Sequence, residues 1–305
     1  MKRWMAALLA LALMTLAPGA LGDAIEKKGC YYASSSKAQV CDIYVPDGEG
    51  PFPVIILVHG GGFLFGDPGM PVIQPVIEAA KQRGYALVSV DYRKSSEAVF
   101  PAALADVKAA VRFVRTAAGR YGFDAERVAL WGESAGAYLA LMTALTPEVE
   151  ALDGDVETNA NQSSATDALV SFYAPVEFYT MDEEYASLGR EDTNFSGPDS
   201  FESKFLGQSV GADREATYAT YWETYLDQLP QDFALKAWIQ AGDADAKVPC
   251  TQSMNFASRL SAAIGEENVR FLLMEGADHE DAAFYTQENL NAVFDFLDDA
   301  LAVKE

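Results

Sequence analysis

Histidine and cysteine are scarce: the 305 residues include two of the first and three of the second. A zinc site needs several such ligands at close, regular spacing, and these five residues form no such pattern. No metal centre and no other cofactor is therefore expected. Basic residues are also few, 22 against 45 acidic ones, which gives a formal net charge of −23. Phosphate backbones and anionic membrane surfaces would repel such a chain, so no nucleic-acid partner is expected. Beyond residue 22 no apolar run reaches the roughly 20 residues that a membrane helix needs, and integral membrane association is not expected either. There is no internal repeat.

What is present reads as one globular unit. Half of the residues are hydrophobic and 22% are charged, an ordinary balance for a packed domain. Residues 1–22 read as a signal peptide: Lys2 and Arg3 precede an apolar run at 5–16, followed by Pro18 and small residues, with Ala20 and Gly22 suiting a cleavage site. The mature domain is then 23–305, and a secreted or periplasmic location follows. In that oxidising setting Cys30 and Cys41, which flank a polar stretch at 33–37 within an antiparallel hairpin, are candidates for a disulfide. The other reading is two buried free thiols. Cys250 is left over.

The most informative stretch is Leu130-Trp131-Gly132-Glu133-Ser134-Ala135-Gly136, an apolar strand end that runs into Gly-x-Ser-x-Gly and then an apolar helix. A serine on such a strand-to-helix turn has its hydroxyl lifted out of the sheet, beside the free N–H groups of the helix start. A structural turn could use the same residues. A second motif, His59-Gly60-Gly61-Gly62-Phe63, follows the apolar run at 54–58, which puts a glycine-rich turn at the end of another buried strand. Together the two motifs resemble the α/β-hydrolase fold. Within it they resemble esterases and lipases carrying His-Gly-Gly-Gly, the hormone-sensitive-lipase-like and bacterial feruloyl- or xylan-esterase-like groups. The resemblance runs from roughly Cys41 to the C-terminus and is weakest between about Met181 and Leu229. It implies a mostly parallel central sheet, helices on both faces and a small cap insertion.

The element pattern agrees with an α/β chain. Two strands lie between Gly29 and Val45, the second at 40–45, and form an antiparallel edge. Further strands are expected at 54–58, 86–90, 128–131, 169–173, 236–240 and 269–274. Helices are expected at 71–82, from Pro101 to about Gly119, after Ala135, at 251–264 and at 287–301. From about 181 to 229 no strand pattern holds, and aromatics such as Tyr185, Phe195, Phe201 and Phe205 recur among acids. That stretch is read as the cap, its aromatics forming a small satellite core.

A serine hydroxyl needs a base to take its proton and a third group to orient that base. With His59 in the glycine loop, His279, after the last strand, is the candidate base. The stretch Gly242-Asp243-Ala244-Asp245 offers two carboxylates. Similar esterases carry Gly-x-x-Asp-x-x-Val-Pro there, which selects Asp245 and keeps Asp243 as the alternate. The resemblance further implies Ser134 as nucleophile, Gly61, Gly62 and Ala135 as backbone donors to an oxyanion, and His59 as a loop-ordering residue. The expected activity is hydrolysis of a small-molecule ester, on short-chain or aryl or carbohydrate esters. A serine peptidase of the same fold and a non-catalytic binding protein are the competing readings.

Overall fold

The computed structural model describes residues 23–215, 217–230 and 233–302, so the expected signal peptide lies outside the described residues. Among the described residues eight strands form one sheet: β1 (Ile25–Tyr31), β2 (Val40–Val45), β3 (Phe52–Val58), β4 (Ala86–Val90), β5 (Phe123–Glu133), β6 (Ala168–Phe172), β7 (Lys236–Gly242) and β8 (Val269–Met274). Their order is β1-β2-β4-β3-β5-β6-β7-β8. β2 runs antiparallel to β1 and β4, and every other pairing is parallel. The helices are α1 (Gln74–Gln82), α2 (Ala102–Tyr121), α3 (Ala135–Leu145), α4 (Met181–Ser187), α5 (Phe201–Leu206), α6 (Glu223–Leu226), α7 (Cys250–Ile264) and α8 (Gln287–Ala300).

Side chains alternate across a strand, so a strand covered on both faces must be apolar at consecutive positions. In β3, Ile55 and Leu57 join a core with Val76 and Ile77 of α1 and with Val293, Phe294 and Leu297 of α8. Val54, Ile56 and Val58 point the other way, into a core with Leu104, Val107 and Val111 of α2 and Leu139 of α3. β3 thus sits between two helical layers, and its C-terminal end is held rigidly. Between β6 and β7 the described residues form short helices and turns and no strand.

Besides shifts at strand ends, such as β1 starting at Ile25, three local features differ from the sequence reading. The helix expected from Pro71 opens as a 3₁₀ turn over Pro71–Ile73, and the α-helix starts at Gln74. Pro75 has no N–H to donate and so fits only in a first helical turn. β5 begins at Phe123, five residues before the apolar run, because Phe52 of β3 pairs with Phe123. The third feature corrects the expected disulfide. Cys30 and Cys41 stand opposite each other across β1 and β2, yet both are free, buried thiols, as is Cys250. A bridge needs the two sulfurs turned to one another. Here Cys41 Sγ faces the Cys30 carbonyl at 3.4 Å and Cys30 Sγ faces the Lys27 carbonyl at 4.0 Å, next to a bulge in β1.

The loop after β4 is fixed by a buried ion pair. Arg93 Nη2 lies 2.9 Å from Asp106 Oδ1 of α2, and Asp106 also accepts from the Arg93 N–H and from Gln39 Nε2. Both residues are buried. Removing Asp106 leaves the buried Arg93 only its exposed partner Asp155, at 2.8 Å, and breaking a buried pair costs about 3–5 kcal/mol. Asp106→Ala should therefore lower the unfolding free energy by about that amount, read from urea denaturation at neutral pH.

Candidate active site

The site lies outside the C-terminal ends of the parallel strands, where the chain order reverses between β3 and β5 and a crevice opens. Val58 pairs with Gly132, so the glycine loop after β3 and the serine turn after β5 start side by side. Two glycines allow α3 to press onto the sheet there. A Cβ on Gly136 would fall 2.2 Å from the Val58 carbonyl oxygen, and one on Gly132 would fall 2.4 Å from the Ala137 Cα. Ser134, between them, has φ 52° and ψ −122°, a conformation that costs a non-glycine residue on the order of 1–3 kcal/mol. The turn is held by the Ser134 N–H donating to the Phe172 carbonyl at 2.9 Å and by the Ala137 N–H donating to the Ser134 carbonyl at 2.9 Å.

The Ser134 Oγ lies 2.9 Å from His279 Nε2, and His279 Nδ1 lies 2.7 Å from Asp245 Oδ2. A carboxylate only accepts, so Nδ1 carries the proton toward Asp245 and the neutral ring leaves Nε2 free to accept from the serine hydroxyl. The second oxygen of Asp245 accepts from the N–H groups of Lys247 and Val248, at 2.8 and 2.9 Å. The Tyr173 ring packs against the imidazole, with centroids 4.6 Å apart. Of the two carboxylates considered, Asp245 reaches His279. Asp243 Oδ1 instead accepts from the Gly276 N–H at 2.6 Å and ties the loop after β7 to the loop after β8. Asp278 makes a second tie, accepting from the N–H groups of Ala246 and His279, and these contacts hold its carboxyl below the usual range.

Gly61 and Gly62 adopt positive φ, 114° and 58°, and a Cβ on Gly61 would meet the Phe65 carbonyl oxygen at 2.3 Å. His59 clamps this loop from behind. Its fully buried ring stacks on Tyr92, and its Nδ1 is 2.6 Å from the Gly60 carbonyl. Burial holds the imidazole below its usual range, against the pull of Asp91, so the ring is neutral. Its Nε2 faces both the Asp91 carboxylate, at 3.2 Å, and the Lys94 ammonium, at 3.1 Å. Lys94 in turn binds Asp91.

These elements enclose a cavity of about 450 Å³ lined by Gly61, Gly62, Ser134, Ala135 and His279 together with side chains from the 181–229 stretch. A larger hollow of about 700 Å³ opens at the opposite end of the strands and touches none of these residues. Among the described residues no cluster of His, Cys, Asp and Glu is placed to hold a metal ion, and no helix is long and apolar enough to cross a membrane.

Two buried carboxyls belong to the site beyond those singled out by the motifs. Glu202 lines the cavity wall. Glu133, the residue before the serine, is buried behind it. Burial pushes the Glu133 carboxyl up to about 8; the Tyr285 and Tyr173 hydroxyls pull it down and Glu280 adds to the rise. Tyr173 is the ring against His279, so this carboxyl forms part of the support under the imidazole. Its ordinary value is 4.5, so between pH 4.5 and about 8 the native state keeps a proton that the unfolded chain has released. The resulting penalty is absent at low pH and complete above about 8. Wild-type stability should fall across that interval, and Glu133→Gln should flatten the fall. Urea midpoints at several pH values for both proteins measure it.

A family model described as BD-FAE matches residues 41–260, a stretch that includes the glycine loop, Ser134 and Asp245. Esterase LipQ of Mycobacterium tuberculosis is 27% identical over 248 residues, covering 80% of this chain and 55% of its own length. The chain thus spans about half the length of the first curated relatives it matches. Among solved structures, a bifunctional GH43-CE protein of Bacteroides eggerthii superposes with a TM-score of 0.78 at 26% identity, over 90% of this chain and 38% of that one. A truncated form of a carbohydrate esterase from gut microbiota gives a TM-score of 0.77 at 22% identity, over 90% of this chain and 96% of that one, a likeness of fold. With the family match reaching from β2 into α7, the protein belongs to the BD-FAE family and has the α/β-hydrolase fold.

Proposed function

We propose that the protein is an exported serine carboxylic-ester hydrolase that works through an acyl-enzyme. The observation that carries this reading is the continuous chain from Ser134 Oγ through His279 to Asp245, with contacts of 2.9 and 2.7 Å, at the floor of a cavity. His279 takes the serine proton as Oγ attacks the ester carbonyl, and Asp245 holds the imidazole in the tautomer that can do so. The N–H groups of Gly61, Gly62 and Ala135 receive the oxyanion, a contribution of about 3–4 kcal/mol per donor in comparable sites. His279 then gives its proton to the leaving alcohol, and water enters by the same route in reverse to release the acid. His59 orders the glycine loop and takes no part in proton transfer.

The relatives named as esterases support ester over amide substrates, and a largely apolar wall suits short-chain, aryl or carbohydrate esters. Export rests on the sequence of residues 1–22. Ser134→Ala and His279→Ala should each lower kcat for 4-nitrophenyl acetate by about 10⁴-fold or more, because the three groups act as a unit. Asp245→Asn should follow within about tenfold of these, whereas Asp243→Asn should cost far less. A fluorophosphonate should label wild type stoichiometrically at Ser134 and leave Ser134→Ala untouched. A folded protein that takes up no label would favour the non-catalytic reading, and faster turnover of a matched amide than of the ester would favour the peptidase.

A further inference from the structure

Glu202 stands in the first turn of α5, behind the N-cap Ser200. It is 6% exposed, it lines the cavity that holds Ser134 and His279, and its Oε2 is buried with no hydrogen-bond partner in the protein. Its neighbours on that wall are apolar: Phe201 packs edge-on against Phe65, and its ring stands where a Cβ on Gly62 would meet it at 2.8 Å. The carboxyl is therefore one residue away from the side chain that touches the glycine loop. The N-cap Ser200 Oγ accepts from the Ser203 N–H at 3.0 Å, and the Glu202 carboxyl accepts from its own N–H and the Ser200 hydroxyl, which still leaves Oε2 without a partner. A buried oxygen without a partner costs free energy, and an apolar residue would suit this wall better for folding alone.

We propose that Glu202 selects the substrate, its free oxygen bonding a hydroxyl group carried by the ester close to the scissile carbonyl. This rests on the esterase reading above and adds the polar feature that the substrate must bear. Burial pushes the Glu202 carboxyl up to about 7, against its own N–H and the Ser200 hydroxyl, so near neutrality both protonation states are populated. A hydroxyl can donate to the carboxylate and accept from the acid, and so pairs with either. An ammonium pairs only with the charged form, which this wall disfavours. Two charged residues that line the cavity, the exposed Lys247 and the half-buried Glu280, are already paired with each other at 3.5 Å.

The test compares kcat/KM ratios for two matched pairs of esters. One carries the hydroxyl on the acyl side, 4-nitrophenyl 3-hydroxybutanoate against the butanoate. The other carries it on the alcohol side, 2-hydroxycyclohexyl acetate against cyclohexyl acetate. In at least one pair wild type should favour the hydroxylated ester by about tenfold or more, and that pair identifies the side that Glu202 reads. Glu202→Leu should bring the ratio close to one, and Glu202→Gln, whose amide both donates and accepts, should restore most of it. Because the Leu variant removes an unpartnered carboxyl, it should melt no lower than wild type at about pH 8. Ratios near one in both pairs for wild type, or an unchanged ratio in Glu202→Leu, would overturn the assignment while leaving the esterase reading intact. A tenfold preference for acetylcholine over 3,3-dimethylbutyl acetate that Glu202→Gln abolishes would give the carboxylate to a cation and overturn it too. Hydrolysis of none of these esters by wild type would remove the esterase reading and this inference with it.

Discussion

The arrangement depends on one close approach: the start of α3 lies so near the end of β3 that only a residue without a Cβ fits at Gly136, against the Val58 and His59 carbonyls. That contact fixes the distance between the serine turn and the glycine loop. It also forces Ser134 into its unusual backbone conformation, because strand must become helix within a single residue. The cost is met by packing. Every residue of α3 is buried, and β3 beneath it is covered on both faces. A strained turn persists where its surroundings over-determine it, and here two layers of core do so.

The loops that carry the other site residues are fixed by a different device. Asp243, Asp245 and Asp278 each accept main-chain N–H groups within or between the loops after β7 and β8. Asp182 does the same for Phe195 and Ser196 in the 181–229 stretch. Part of the strong negative charge of the chain is therefore structural, since carboxylates serve as acceptors for loop amides that no helix or strand satisfies. The few cations are placed with comparable economy: Arg93, Lys94 and Lys108 are all part of buried or half-buried ion pairs. The charge of the whole chain predicted partner exclusion, and said nothing of this local use.

What the sequence made legible follows the strength of the backbone constraint. Strands buried on both faces must be continuous apolar runs, so β4 could be bounded to the residue and β3 and β5 were visible by their apolar cores, while β8 was bounded by its apolar run although it lies exposed at the edge of the sheet. The glycines of both motifs were informative because the close approaches and positive φ angles admit little else. The first half of β5 was invisible, since Asp124, Ala125 and Glu126 carry no strand pattern and fall in the register break between the Phe52–Phe123 and Val54–Val128 pairs. The choice between Asp243 and Asp245 could be made only by resemblance. Two residues apart on a loop, both carboxylates have the same local chemistry, and the path of the chain after Gly242 decides which one meets the imidazole. The cysteine pair shows the same limit in reverse. Strand register brought Cys30 and Cys41 opposite each other, while the bulge in β1 and the direction of each thiol, which no spacing rule encodes, kept the sulfurs apart.

Buried carboxyls are the least legible of all, because a glutamate in a sequence reads as surface unless packing says otherwise. Glu133, Glu177 and Glu202 all have their carboxyls raised by burial, to about 8, 7 and 7, and all have a side-chain oxygen without a partner. All lie on β5 or in the irregular stretch between β6 and β7. The sheet therefore contributes the groups whose geometry must be exact to a few tenths of an ångström, on strand ends anchored in two cores. The short helices and turns contribute part of the cavity wall, built on weaker secondary structure that tolerates a costly side chain such as Glu202. On the proposed reading of this site, reaction chemistry is encoded where the sequence is most constrained, and selectivity where periodicity is weakest and only tertiary structure makes it visible.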